Sequence, residues 1–283
     1  MSRIVYVNGA FLPEAEATVS IFDRGFLMAD AVYEVTAVVE GKLIDFDGHV
    51  RRLGRSLSEL GMENPLDVDD LLGLHREIVE RNGLEEGLVY LQITRGVADR
   101  DFAYPEAATP TVVLFTQVKP LSENDQAKTG IRVVSVDDRR WGRRDIKTVQ
   151  LLYPSMAKME ARARGADDAW LVQDGLVTEG TSNNAYIVKG GAIITRHLSN
   201  DILHGITRAA VLRYARERQM KIEERPFSIE EAQTADEAFI TAASTFVMPV
   251  VAIDGQILGD GTPGPVARRL RAIYLDEGRK AAI

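Results

Sequence analysis

The sequence contains no cysteine. That excludes disulfide scaffolds, thiolate nucleophiles and cysteine-based zinc sites together, and it fits a reducing, cytoplasmic setting. Lysine is scarce: eight of the 34 basic residues. No basic block stands without neighbouring acids, and the net charge is −8, so nucleic acid is not an expected partner. No Walker A loop occurs, and G-x-G-x-x-G appears only as Gly259–Gly264, without the strand-helix-strand pattern of a dinucleotide site around it, which disfavours the common dinucleotide and NTP enzymes. The lack of a G-x-S-x-G elbow leaves a serine hydrolase unsupported. The four histidines (49, 75, 197 and 204) are scattered, so no metal site is expected. The longest uncharged run, Ala238 to Ile253, is shorter than the ~20 residues of a membrane helix, and Thr241, Ser244, Thr245 and Pro249 interrupt it. It reads as buried strand and loop, with no membrane partner. The N-terminus turns polar too early for a signal-peptide core, so no export signal is expected.

What is present is an ordinary globular balance of 45% hydrophobic and 27% charged residues, enough for a packed core. Ile4–Val7 and Ala10–Leu12 flank Asn8-Gly9, a tight-turn signal. Val32–Val39 reads as a strand returning through Lys42–Phe46, with Tyr33, Val35 and Ala37 on one face by the period of two. Asp47 is the expected N-cap of a helix with Val50, Leu53, Leu57 and Leu60 on its apolar side, closed by Gly61. A second helix is expected over 68–81, then strands over 88–95 and 111–116. Lys119–Asp125 is polar, carries a proline and lacks a period. It divides an N-terminal domain (1–118) from a C-terminal one (127–283), with 119–126 as linker. The second half mixes strands (131–136, 169–173, 176–179, 184–188) with helices near 153–164, 206–219, 229–234 and 264–278. Hairpin-linked strands and segregated helices indicate an α+β fold rather than a doubly wound sheet.

Three segments carry candidate chemistry. Lys147 lies in the apolar-flanked run Asp145–Leu152, where desolvation would favour the neutral, nucleophilic amine that Schiff-base formation needs. By its local surroundings alone it reads rather as a strand lysine with its stem on apolar surface. Val177–Asn184 packs Glu179 among hydroxyl and amide residues, a ligand-organising cluster or simply a polar turn. Gly205-Ile206-Thr207 opens a helix whose N–H groups suit a phosphate. Ser244-Thr245 and Arg52 offer further anion contacts, or else satisfied backbone and a solvated helix arginine.

Taken together, these segments resemble the fold-type IV pyridoxal 5′-phosphate (PLP) enzymes: D-amino-acid transaminases, branched-chain aminotransferases, (R)-selective amine transaminases and aminodeoxychorismate lyases. The ordered pieces are Asp23-Arg24-Gly25 through Val32-Tyr33-Glu34-Val35, His49–Leu53, Thr94-Arg95-Gly96, Asp145-Ile146-Lys147, Thr178-Glu179-Gly180, Gly205–Arg208 and Thr241 to Pro249. The resemblance implies a two-domain α+β fold in which Lys147 carries PLP as a Schiff base and moves the substrate Cα proton. Arg52, Gly205, Ile206, Thr207, Ala243 and Ser244 would hold the phosphate, and Glu179 would face the pyridine nitrogen. Leu203 would support the ring and Ser182 would order the site. It also implies a homodimer with the active site between the domains and the Arg100 loop lent by the neighbouring subunit.

The similarity is greatest to D-amino-acid transaminases, which use a strand tyrosine and an R-x-H loop for the substrate carboxylate. Tyr33, with Val35 beyond it, and Arg100 match that pattern. Phe102 stands in place of the histidine, and Ala37 where a longer basic residue is common. Both changes weaken the carboxylate clamp. The expected reaction is transfer of an amino group between a D-amino acid and a 2-oxo acid, pyruvate or 2-oxoglutarate, with (R)-primary amines as further donors. The alternatives are an (R)-selective amine transaminase, a branched-chain L-amino-acid transaminase, an aminodeoxychorismate lyase or a non-catalytic PLP-binding protein.

Overall fold

The computed structural model describes residues 2–283, which cluster into two compact units. The division is not into consecutive halves. The first unit comprises the chain up to Pro120 together with Ile146–Gln150 and Ala281–Ile283, and the second holds Leu121–Asp145 and Leu151–Lys280. The segment expected as a linker is partly core: Leu121 is fully buried, and Asn124 caps a short helix that begins at Asp125.

The first unit contains β1 (Ile4–Val7), β2 (Ala10–Pro13), α1 (Arg24–Met28), β3 (Ala31–Val39), β4 (Lys42–Leu43), α2 (Phe46–Glu59), α3 (Val68–Arg81), β5 (Glu86–Thr94) and β6 (Thr111–Val118). Its sheet runs β2-β1-β6-β5-β3-β4 with every neighbour antiparallel. Asn8 and Gly9 turn the first hairpin at positive φ, where Asn and Gly carry the least steric cost. Strand alternation gives β3 two unlike faces. Val32 and Val38 join Val89, Leu91, Ile93, Val112 and Leu114 against the α2 and α3 residues Leu53, Leu57, Leu71 and Ile78. Tyr33 and Val35 point to the opposite face, where Tyr33, Tyr90 and Phe115 stack in a row. The start of α2 differs from expectation. Phe46 is already helical and buried in the core, so Asp45, in the left-handed region, is the N-cap and Asp47 lies in the first turn.

His75 of α3 is buried in this core, with Nδ1 donating to the Leu71 carbonyl at 2.7 Å and its ring edge-on to Phe46. Burial lowers its pKa to about 4 from 6.5. The unfolded chain therefore binds an extra proton between those values, and stability is full above pH 6.5 and falls as pH drops toward 4. The loss is on the order of 3 kcal/mol. Urea midpoints measured across this window should show that slope in the wild type and not in His75→Leu; equal slopes would count against it.

The second unit adds α4 (Asp125–Thr129), β7 (Ile131–Asp137), α5 (Leu152–Ala163), β8 (Asp168–Gln173), β9 (Leu176–Gly180), β10 (Asn184–Lys189), β11 (Ala192–Thr195), α6 (Ile206–Glu217), β12 (Lys221–Glu224), α7 (Ile229–Gln233), β13 (Glu237–Ala242), β14 (Phe246–Ile253), β15 (Gln256–Ile257) and α8 (Pro265–Ala281). The sheet order is β12-β11-β10-β13-β14-β7-β8-β9, with β15 on β14. It is mixed: β11/β12, β14/β7 and β7/β8 are parallel and the other pairs antiparallel. The fold is α+β with helices on the sheets. The uncharged run 238–253 supplies the paired central strands β13 and β14, buried along nearly their whole length. Among the described residues, no helix is long and apolar enough to cross a membrane.

Candidate functional site

In the first unit the site grows from the short length of β4. It pairs only with Val38 and Val39, so the opposite end of β3 keeps an open edge. Residues 147–149 occupy that edge: Tyr33 N donates to the Lys147 carbonyl at 3.0 Å and Val149 N to the Ala31 carbonyl at 3.2 Å. Lys147 N is held by Ser56 Oγ of α2 at 3.3 Å. Lys147 is thus not in a regular strand, as its local sequence suggested, but in an edge segment anchored by its backbone. Its side chain is half-buried, with Nζ 4.0 Å from the centre of the Tyr33 ring. Lysine and tyrosine are therefore neighbours on the face of the sheet away from α2 and α3.

Arg52 of α2 is buried rather than solvated. Its Nε and Nη2 fork onto Glu34 at 2.8 and 2.7 Å, and His49 Nδ1 meets the same carboxylate at 2.7 Å. Glu34 and His49 stood in the sequence only as members of two motifs, with no role and no pairing assigned to either. The signal was a single acid in the helix-facing row Val32-Glu34-Thr36-Val38, opposite a helix that carries both partners. Burial alone would raise the Glu34 carboxyl, but the Arg52 charge and the hydrogen bonds from Arg52 and His49 outweigh it and hold its pKa at about 2. A bidentate pair fixes the plane of the guanidinium as well as its position. Arg100 and Phe102 lie exposed on the β5–β6 loop, with the Arg100 guanidinium over the Phe102 ring.

In the second unit, Glu179 at the end of β9 is buried and held on both oxygens. Oε1 accepts from Arg140 Nη1 at 2.6 Å, and Oε2 accepts from Asn184 Nδ2 and Leu203 N, each at 3.0 Å. Arg140 is set in turn by Asp138, which also accepts from Thr178 Oγ1 and pairs with Arg144. Burial pushes the Glu179 carboxyl up, and Arg140 pulls against that by stabilising the charged form. The Asp138–Arg140 clasp was missed in the sequence because its partners lie about forty residues away on β9. Asn184 Nδ2 also donates to the Leu203 carbonyl, and a Cβ on Gly205 would lie 2.1 Å from Asn184 Oδ1, so only glycine fits there. Gly205 is the N-cap of α6 with no side-chain cap, which leaves the first-turn N–H groups of Ile206 and Thr207 aimed outward with the positive end of the helix dipole. Ala243 and Ser244 sit in the β13–β14 turn beside Thr245, whose buried Oγ1 has no partner among the described residues. Ser182 is exposed, while its neighbours Thr181 and Asn183 are buried on Asp168.

These donor sets fit PLP part by part. A lysine amine suits its aldehyde, and an ionisable carboxylate braced by an arginine suits its ring nitrogen. An uncapped helix N-terminus led by glycine, with an orphan hydroxyl in a second-unit turn, suits its phosphate. Among the described residues no cluster of histidine and acid side chains that could hold a metal ion is found.

Comparison with known proteins agrees with that fit. The Amino-transferase class IV family matches residues 31–253. D-alanine aminotransferase of Bacillus licheniformis is 39% identical over 267 residues, covering 94% of each chain. The Staphylococcus aureus (strain MSSA476) enzyme of the same name is 37% identical over 270 residues, 94% of this chain and 95% of that one. Among solved structures, the branched-chain aminotransferase of the thermophilic archaeon Thermoproteus uzoniensis with norvaline superimposes with a TM-score of 0.87 at 26% identity, covering 97% of this chain and 94% of that chain. The chain belongs to the class IV aminotransferases.

Proposed function

We propose that this aminotransferase moves the amino group between a D-amino acid and a 2-oxo acid, pyruvate or 2-oxoglutarate. The chain-long likeness to D-alanine aminotransferases carries the reading, and the pairing of Lys147 with the Tyr33 ring supports it. PLP is the cofactor. When bound, it supplies a carbonyl for the amine and a ring that takes up the electron pair freed at Cα. Lys147 Nζ would hold the cofactor and, once released, would serve as the base that takes the substrate Cα proton. The N–H groups of Ile206 and Thr207, with Gly205, Ala243 and Ser244, would hold the phosphate, and Arg52 would supply a cation for it. Glu179, braced by Arg140, would keep the ring nitrogen protonated and Leu203 would back the ring, with Ser182 exposed on the loop after β9. Tyr33, Val35, Arg100 and Phe102 face the substrate.

The same reading includes a homodimer in the cytoplasm, with the Arg100 loop serving a second copy. Ile21, Phe22, Phe26 and Phe102, all exposed in the single chain, support that association. Phe102 in place of a polar residue also favours (R)-primary amines as additional donors.

The test is a panel of D-amino acids, L-leucine and (R)-1-phenylethylamine against pyruvate and 2-oxoglutarate. D-alanine should convert the yellow enzyme to its colourless form and yield pyruvate. Turnover of L-leucine with none of D-alanine would overturn the proposal. D-alanine turnover without (R)-1-phenylethylamine turnover would sink only the amine extension.

A further inference from the structure

We propose that Arg24, held by Asp30, is a positioning residue that sets the Arg100–Phe102 segment and so controls how strongly the enzyme binds a substrate carboxylate. This rests on the proposed role of Arg100 as a carboxylate-binding residue. Residues 97–110 leave and rejoin the sheet at a pinch. Gly96 sits at φ +105, and a Cβ there would lie 2.0 Å from the Thr109 carbonyl, so the loop ends are locked by backbone contact. Phe22 and Asp23 brace the first residues: Ala98 N donates to Phe22 O at 3.2 Å, and Asp23 bridges Val97.

The far end of the loop is fixed differently. Arg24 is buried, with its backbone N on Gly96 O and Nε on Asp30 Oδ2 at 2.8 Å. Its Nη1 donates to the carbonyls of Asp101 at 2.8 Å and Ala103 at 3.4 Å, one on each side of Phe102. Asp101 closes the same corner by accepting from Ala103 N at 3.2 Å. Arg95 completes the clamp. Its Nε shares Asp30 Oδ2 at 2.7 Å, and its guanidinium carbon lies 3.6 Å from the centre of the Tyr104 ring. Arg100 and Phe102 are exposed within this chain, and Phe102 retains 79% of its accessible surface, so packing inside the chain does not set their direction. The buried guanidinium does, through two carbonyls that a shorter or single-donor side chain cannot reach together. The motifs Asp23-Arg24-Gly25 and Thr94-Arg95-Gly96 thereby form the socket of a specificity loop.

The test uses the holoenzyme with Arg100→Ala as reference and Arg24→Met, Arg24→Lys and Tyr104→Ala as probes. Tyr104 is largely exposed, so its variant folds even if Arg24→Met does not. Arg24→Met should raise KM for D-alanine about tenfold with kcat within about threefold, the pattern of lost uniform binding. Arg24→Lys should fall between it and wild type, and Tyr104→Ala should shift KM the same way. Amide hydrogen exchange over residues 98–105 should speed up in all three. If Arg100→Ala raises KM while the probes leave KM and exchange unchanged, the clamp is refuted and the carboxylate reading survives. An unchanged KM in Arg100→Ala refutes that reading, and the proposal falls with it.

Discussion

Replacing Lys147 with alanine should abolish transamination, with a loss of at least about 10³-fold, and leave the fold intact. The magnitude follows because one side chain would supply both the attachment point and the proton-transfer group, and positioned general bases alone contribute about 10²–10⁴-fold. The fold survives because the segment is anchored by its main chain, to Tyr33 N, Ala31 O and Ser56 Oγ, none of which involves Nζ. What the side chain gives to stability is its contact with the Tyr33 ring, about 0.5–1 kcal/mol at a half-exposed position. Single-turnover assays with D-alanine and a thermal melt on the same sample separate the two effects. Activity within tenfold of wild type would eliminate Lys147 as the catalytic amine.

Removing Glu34 should have the largest effect on stability. Glu34→Ala leaves Arg52 and His49 buried without the carboxylate that satisfies them, a situation that costs about 3–5 kcal/mol. Retention of PLP should weaken as well, because the arginine assigned to its phosphate loses the plane that Glu34 imposes. The pH dependence has a definite sign. Since the folded pKa of about 2 lies below the ordinary value of 4.5, the stabilisation is full above pH 4.5 and is lost as pH falls through that window toward 2. Urea unfolding at pH 7 should show the loss. The double variant Glu34→Leu with Arg52→Leu should recover much of the stability while still failing to retain PLP. A single variant as stable as wild type would disprove the role of the pair.

The second unit poses the same problem with a different solution. Glu179 is buried as deeply as Glu34, yet burial raises its pKa whereas that of Glu34 is pulled down. Glu34 is gripped by a two-pronged arginine and a histidine, while Glu179 receives one Nη1, an amide and a backbone N–H from partners that also serve Asp138 and Leu203. A cationic group placed at Glu179, such as a protonated ring nitrogen, is stabilised by a carboxylate whose charge the protein does not fully neutralise.

Much of this was legible in the chain. Two-residue alternation marked Val32–Val39 as a strand and placed Tyr33 with Val35, and the 3.6-residue period marked 68–81 as a helix, because both depend on neighbours a few positions apart. Asn8-Gly9 and Gly205 carry their conformational meaning in themselves. The ordered motifs around Lys147, Glu179 and Gly205-Ile206-Thr207 were enough for the family. Tertiary structure decided the rest. A carboxylate inside an apolar row announces a buried partner without naming it. Which helix supplied Arg52 and His49 to Glu34 depended on sheet packing, and Arg140 reached Glu179 only through β9. Lys147 itself looked like a strand lysine because its flanks are apolar. It occupies the edge of β3 because β4 is only two residues long, a fact about pairing between distant segments that no local pattern contains.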